Sequence, residues 1–315
     1  VEHSTLRWGI AGAGAIARRF CHDVNQFATA GRVVAIAARD ATRAADFASQ
    51  QALPHAYGSY LALAESPEVD AVYVATIHPE HAAIARLMLE HGKHVLVEKP
   101  AVLRVADWDE LVELAHRRGV LLMEAMKVMC FPAWRALWEQ LPALAPVRRV
   151  RAAFGSCAEP GGKLFDPMLA GGAGWDVGVY GVWLYVALCH RLGLDCPAPR
   201  SELSRGPSGV DEQCRFYFDG ALGGEIGASI VAELDKAAHL EGDDWQLEIA
   251  GKWWNPQQVR WWGETAGEIA RPVEGGMQFQ ADHFAACVAA GLLDAPWVPQ
   301  ALSRQVIGIL ESALT

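Results

Sequence analysis

The sequence predicts an α/β domain with a doubly wound parallel sheet over residues 1–125. An α+β domain with a large open, mainly antiparallel sheet follows over residues 126–315. Three observations carry this reading. At 315 residues the chain is too long for one typical core and suits two. The first 125 residues alternate short β-branched runs with amphipathic helical stretches, and beyond Pro132 that alternation gives way to strand after strand. Strand and helix in turn require right-handed crossovers, which build a parallel sheet with helices on both faces.

Taken in order, the first strand is predicted over 7–11, where apolar residues run up to a glycine-rich turn, and the first helix over 15–27. The run Val33-Val34-Ala35-Ile36-Ala37 predicts a second strand, and residues 42–50 a helix. A strand at 71–76, a helix at 80–91, a strand at 94–97, a helix at 106–118 and a strand at 120–123 complete the series. In the second domain a helix at 133–139 precedes a strand at 147–155, a glycine-rich stretch and a helix at 176–191. Strands at 214–218, 224–230, 245–250 and 259–262 then follow with few helical stretches, which is α+β order. Many of the 12 tryptophans lie here, including Trp253-Trp254 and Trp261-Trp262. An aromatic-rich apolar sheet face reads as a subunit interface rather than as domain core alone.

Hydrophobic residues at 52% and charged residues at 20% give the balance of a compact globular protein. A net charge of -10 supplies no electrostatic reason to bind nucleic acid or anionic lipid, although a local basic pocket for a phosphate remains open. The longest apolar runs, such as 182–189, fall short of the roughly 20 residues that a bilayer needs, so no membrane anchor is expected. The first residues have neither a basic nor an apolar signal region, and no signal peptide is expected. Seven cysteines (Cys21, Cys130, Cys157, Cys189, Cys196, Cys214 and Cys287) form no CxxC pair and are odd in number. That pattern suits reduced thiols in a cytoplasmic protein.

The segment Gly12-Ala13-Gly14-Ala15-Ile16-Ala17 is a GxGxxA motif between the first strand and first helix. Gly12 permits the tight turn, Gly14 lets a pyrophosphate approach the backbone, and Ala17 allows close helix–strand packing. The helix N-terminus offers N–H groups and partial positive charge to the phosphates, so this is a Rossmann dinucleotide site. NAD-preferring sites usually end the second strand in an acid that binds the ribose 2′-hydroxyl. Here the strand ends Ala37-Ala38-Arg39-Asp40. Small Ala38 followed by Arg39 leaves room for a 2′-phosphate and supplies a guanidinium to bind it, favouring NADP over NAD. The bland reading is a solvated Arg39 with Asp40 capping the next helix.

Glu98-Lys99-Pro100 follows an apolar strand, and ligands of doubly wound sheets bind beyond the strands' carboxyl ends. A charged Lys99 there can donate to a developing alkoxide or lower a neighbouring phenol's pKa. Pro100 disfavours helical geometry at Lys99. A second cluster runs through Gly171-Gly172-Ala173-Gly174-Trp175-Asp176 to Tyr180. On a helix Asp176 and Tyr180 share one face, so the phenol can act as acid/base and the carboxylate can orient polar groups. The alternatives are a surface salt-bridge turn at Lys99, and a capping Asp176 with a buried Tyr180.

Together these residues resemble the glucose–fructose oxidoreductase / inositol dehydrogenase (Gfo/Idh/MocA) family over nearly the whole chain. Within it the likeness is to the branch of dimeric dihydrodiol dehydrogenases and NADP-dependent D-xylose dehydrogenases. It runs through 33–40 (VVAIAARD), 56–60 (AYGSY), 98–100, 122–125 (LMEA), 164–180, 209–213 (GVDEQ) and 275–291. The resemblance implies that Lys99 is the catalytic lysine and that Tyr180 stands where many members have histidine, as in this branch. It also implies that His78-Pro79-Glu80-His81 forms the loop near the nicotinamide, that Thr76 and Glu98 bind the cofactor, and that a homodimer forms through the C-terminal sheet. His78 and His81 would need further ligands to bind zinc, so no metal is expected. The chain departs from the branch at Lys127, where an aromatic is common, at Met129, where arginine is usual, and at Trp175, where an aliphatic is usual. All three are expected to line the substrate pocket.

The sequence therefore reads as an NADP-dependent dehydrogenase that moves hydride between nicotinamide and a carbinol or carbonyl carbon. The substrate would be a small sugar, cyclic polyol or trans-dihydrodiol. Two rival readings keep the fold: an NADP-binding regulator or scaffold without turnover, and a cofactor-assisted glycoside hydrolase.

Overall fold

The computed structural model describes residues 5–144 and 146–315, and they form two compact units. One comprises the chain up to Lys127 together with Gly275–Arg304; the other comprises Val128–Glu274 and Gln305–Thr315. The chain is thus threaded differently from a single cut at 125/126, because a late helical segment returns to the first unit.

In the first unit β1 (Leu6–Ala11), α1 (Ala15–Phe27), β2 (Gly31–Ala37) and α2 (Ala41–Gln51) lead into β3 (His55–Tyr57) and α3 (Tyr60–Glu65). Then come β4 (Ala71–Val74), α4 (His81–Glu90), β5 (His94–Glu98), α5 (Val105–Arg118) and β6 (Leu122–Ala125). The six strands pair in parallel in the order β3-β2-β1-β4-β5-β6. Chain direction across the sheet reverses between β1 and β4, which opens the ligand crevice at their carboxyl ends. Strands β1, β2, β4, β5 and β6 are buried on both faces, as helix-covered parallel strands are, and Trp8, Phe20 and Tyr73 fill the space against α1.

The second unit contains α6 (Pro132–Leu144), β7 (Arg149–Gly155), α7 (Val179–Leu192), β8 (Arg200–Arg205), β9 (Asp211–Phe218) and β10 (Gly223–Ser229). It continues with β11 (Ala238–Glu241), β12 (Trp245–Ile249), β13 (Gln258–Gly263) and β14 (Gly267–Ala270). The eight strands lie in the order β14-β13-β12-β11-β7-β10-β9-β8, and only the β7–β10 pair is parallel. Helix α7 packs so closely on this sheet that a Cβ at Gly181 would lie 2.2 Å from Ile226 Cγ2. The opposite face is open and carries a cross-strand lattice of charge: Arg149–Glu225 (3.7 Å), Arg151–Glu241, Arg215–Glu225 (4.0 Å) and Arg260–Glu268 (3.5 Å).

That lattice corrects the expectation of an aromatic-rich exposed face. Trp253 and Trp254 are buried, and Trp253 Nε1 donates to the Ala153 carbonyl (2.7 Å). Trp262 remains 44% exposed. Aromatic composition located the sheet but not which side the rings face.

The last two helices are α8 (Met277–Ala289) and α9 (Gln300–Leu314). Helix α8 lies against α1, with Phe284 packed on Trp8 (4.9 Å between ring centroids). The amino end of α9 ties to α5 through Trp108 Nε1 donating to the Gln300 carbonyl (3.0 Å) and the Arg304–Asp109 ion pair (2.7 Å). Among the described residues no helix is long and apolar enough to cross a membrane.

Candidate active site

The glycine-rich turn between β1 and α1 has the form its sequence requires. Gly12 adopts φ +108, and a Cβ there would lie 2.6 Å from the Ala75 carbonyl oxygen, so only glycine fits. Gly14 faces open space: no atom of the described residues would come within 4 Å of a Cβ at that position, and the residue precedes α1 without a side-chain cap. The first-turn N–H groups at Ala15 and Ile16 are therefore presented beside half-buried Ala13. Just past β4, the Thr76 hydroxyl is buried with no partner among the described residues, and its methyl would lie 3.1 Å from a Gly12 Cβ. An orphaned hydroxyl beside an uncapped helix start fits a dinucleotide, whose ribose and phosphate oxygens are the partners such groups need.

At the end of β2, Ala38 is buried and Arg39 is 71% exposed, with its guanidinium on Glu80 (2.7 Å). Asp40 caps α2, accepting from Thr42 N (2.8 Å) and Arg43 N (3.4 Å). The bland reading of Asp40 is thus realised, while Arg39 stays at the surface beside the crevice. Sequence reasoning missed a cleft of about 220 Å³ close by, lined by Ala13, Arg18, Arg43, Asp46, Phe47 and Gln50. It adds two guanidiniums to Arg39, and Arg18 lies over the Phe47 ring (6.0 Å).

The Glu98-Lys99-Pro100 turn ends β5. Glu98 is buried; its carboxylate accepts from the Tyr73 hydroxyl (2.5 Å) and from the Lys99 N–H (3.0 Å). Burial pushes the Glu98 pKa up, opposed by Lys99, by the Tyr73 hydrogen bond and by Lys127. Ala101 N donates to buried Glu124 (3.1 Å), which fixes the turn from the β6 side. Lys99 is half-buried at the mouth of this arrangement.

His81 departs from expectation. Its ring is 0% exposed, with Nδ1 2.9 Å from the Pro100 carbonyl and Nε2 3.4 Å from the Thr76 carbonyl. Burial holds its pKa down at about 4, which favours the neutral ring in its place between two site loops. His78 is half-exposed, 5.7 Å from the His81 ring.

Lys127, in a 3₁₀ turn after β6, is only 7% exposed. Burial first, then the like charges of Arg19 and Lys99, bring its pKa down to about 8 against the opposing pull of Glu98 and Asp23. Lys127 and Lys99 thus form a cationic pair around Glu98.

The second unit carries the other cluster. Residues Gly174–Gly178 form a π-helical turn that leads directly into α7. Asp176 lies in the π turn and Tyr180 in the first turn of α7, so the α-helix begins three residues later than predicted. Single π turns often occur at functional sites. The Tyr180 ring packs on Phe154 (5.6 Å), which stacks on Trp254 (3.6 Å, 9° between planes). Sequence reasoning marks neither Phe154 nor Trp254 as a site residue; a Trp-Trp pair alone does not say which ring faces a ligand. Trp175 and Met129 are both buried and offer little surface to a substrate.

Residues 6–126 match the model of a family described as an oxidoreductase family with an NAD-binding Rossmann fold. Trans-1,2-dihydrobenzene-1,2-diol dehydrogenase of Mus musculus is 36% identical over 323 residues, covering 98% of this chain and 96% of the relative. The enzyme of that name from Macaca fascicularis is 34% identical over 320 residues, covering 97% and 95%. In fold, the chain is similar to a 3-ketoreductase from Actinomadura kijaniata in complex with NADP and TDP-benzene. The TM-score is 0.86 at 24% identity, covering 98% of this chain and 97% of that one. A levoglucosan dehydrogenase in complex with NADH and levoglucosan gives a TM-score of 0.85 at 17% identity, covering 98% and 96%.

Proposed function

The chain belongs to the Gfo/Idh/MocA family of nicotinamide-dependent oxidoreductases, and we propose that it is an NADP-dependent dehydrogenase of a vicinal diol on a small ring. The observation that carries the reading is the convergence of the Gly12–Gly14 cradle, the orphaned Thr76 hydroxyl and the Lys99 turn at adjacent carboxyl ends of one parallel sheet. The bound nicotinamide supplies a carbon that accepts or returns hydride. Gly12, Gly14 and the N–H groups of Ala13, Ala15 and Ile16 hold its pyrophosphate, and Arg39 binds the 2′-phosphate with Ala38 leaving it room.

Tyr180 takes the hydroxyl proton of the diol, and Lys99 holds the same oxygen and favours the phenolate. Asp176 orients the substrate. The Phe154–Trp254 stack beside Tyr180 supports a flat, partly apolar ring carrying hydroxyls at one edge, in keeping with the dihydrodiol named for the relatives. Lys127 adds positive charge beside Glu98 and Lys99. The reading extends to a homodimer through the open sheet face, with Trp262 and the arginine–glutamate lattice at the contact, and to a reducing cytoplasmic location for its unbridged thiols.

The test is titration with NADPH and NADH by tryptophan fluorescence, followed by nicotinamide absorbance on a panel of trans-dihydrodiols, inositols and aldoses. Preferential NADPH binding with turnover of a diol supports the assignment. Tight binding with no turnover on any member refutes the dehydrogenase role.

A further inference from the structure

Residues 209–213 carry part of the family resemblance, yet the chemistry above uses none of them. Asp211 opens β9 and is 3% exposed. Its Oδ2 accepts from the Gly174 N–H at 2.7 Å, inside the protein, at the amino end of the π turn that carries Asp176. Two glycines are shaped around this carboxylate. Gly172 has φ +114, and a Cβ there would lie 2.2 Å from Asp211 Oδ1; at Gly174 a Cβ would lie 3.1 Å from Oδ2. The hydrogen bond from Asp176 N back to the Gly172 carbonyl is long, at 3.4 Å. On β8, Arg205 stands opposite Asp211 in the strand register and bonds the Gly209 carbonyl (3.0 Å) and the Leu314 carbonyl (3.1 Å). Burial raises the carboxyl pKa, while the Gly174 and Ala173 N–H groups and Arg205 oppose the rise.

The run Gly171-Gly172-Ala173-Gly174 has no side chain longer than a methyl with which to hold itself. A π turn is also a poor stand-alone structure, so its placement depends on an outside anchor. We propose that Asp211 is the positioning residue of the site: its carboxylate grips the amino end of the π turn and so sets where Asp176 and Tyr180 stand. The proposal rests on the dehydrogenase reading, in which those two side chains meet the substrate. It also explains why Gly172 and Gly174 must lack side chains.

Asp211→Asn keeps the shape but replaces one acceptor oxygen with a donor. A displacement of about 1 Å at reacting groups costs on the order of a hundredfold in rate, so kcat should fall about ten- to a hundredfold. The NADPH Kd, set in the other unit, should stay within about twofold. A general loss of structure would instead lower kcat and raise that Kd together. The decisive measurement is a double-mutant cycle with Tyr180→Phe: a residue acting only through the π turn adds little to the loss already caused by Tyr180→Phe. A folded Asp211→Asn with wild-type kcat overturns the proposal, as does a loss that multiplies in full with Tyr180→Phe. Should Asp211→Asn not fold, Gly172→Ala presses a methyl on the same carboxylate; wild-type kcat in that variant likewise overturns it. A wild-type enzyme inactive on the whole panel removes the dehydrogenase reading and this proposal with it, whereas an active wild type with an equally active Asp211→Asn removes only the latter.

Discussion

Lys127→Met should make the protein more stable near neutral pH and less so, relative to wild type, in alkali. Lys127 is an ammonium on a nearly buried side chain, and burial with the nearby Arg19 and Lys99 takes its pKa from the ordinary 10.5 to about 8. Such a drop corresponds to about 3 kcal/mol of folding free energy against the charged form. The folded pKa is depressed, so between pH 8 and 10.5 the unfolded chain binds more protons than the folded one, and wild-type stability rises across that window. Below pH 8 both states carry the proton and the full cost is present. Methionine has similar length and no charge, so the variant should gain up to about 3 kcal/mol below pH 8. Part of this is offset because Lys127 also holds down the Glu98 pKa. For a chain of this size the melting temperature should rise by about 5 °C. Thermal melts of both proteins, from below pH 8 to above pH 10.5, measure the gap directly. A gap that does not narrow with rising pH, or a variant less stable throughout, would refute the argument. The expected result has a functional corollary: in the proposed site this destabilising buried cation serves activity, so activity should fall as stability rises.

Four further outcomes follow from the site. Arg39→Ala should raise the NADPH Kd about ten- to a hundredfold by removing a charge-assisted phosphate contact, with NADH changed by less than about twofold. Glu80→Gln releases Arg39 from its 2.7 Å ion pair and should tighten NADPH by at most about fivefold; equal changes for both cofactors would remove the 2′-phosphate assignment. Lys99→Met should lower turnover by at least about a hundredfold while fluorescence titration still finds NADPH binding, and full activity would end its catalytic role. Gly12→Ala places a methyl 2.6 Å from the Ala75 carbonyl at φ +108, so both melting temperature and NADPH affinity should fall; wild-type values for both would show that the turn is not tight.

The first unit was legible because its elements are long, periodic and locally punctuated. Helix α1 falls at 15–27, as read from the glycine turn before it and the apolar spacing within it. The short pieces escaped for a physical reason. Strand β3 has three residues and β14 has four, too few for an alternation to rise above chance. Edge strand β8 (Arg-Ser-Glu-Leu-Ser-Arg) is polar on both faces, because water rather than a packed layer meets most of it. Strand β6 runs to Ala125, two residues beyond its predicted end, because its ladder to β5 continues as far as Glu98. Hydrophobicity marks where a run is buried, whereas the partner strand decides where pairing stops.

The site divides along the same line. Gly12, Gly14 and Lys99 are visible in sequence because each sits in a turn at the end of a strand, and that placement follows from neighbours in the chain. His81, Lys127 and Asp211 depend on what lies across space. The same histidine after a proline turn could face a ligand; here its ring lies buried between two carbonyls, because the turn after β5 folds back over the start of α4. Lys127 differs from a surface lysine only through its burial beside Glu98, 29 positions earlier in the chain. Asp211 reaches a glycine 37 positions away, and that glycine has no side chain to announce the contact. Local signals can thus nominate the groups proposed to meet the cofactor, but the groups that tune or hold them are selected by tertiary distance. For this chain the experiments that separate the two classes are those in which cofactor affinity stays fixed while kcat, or the pH dependence of stability, moves.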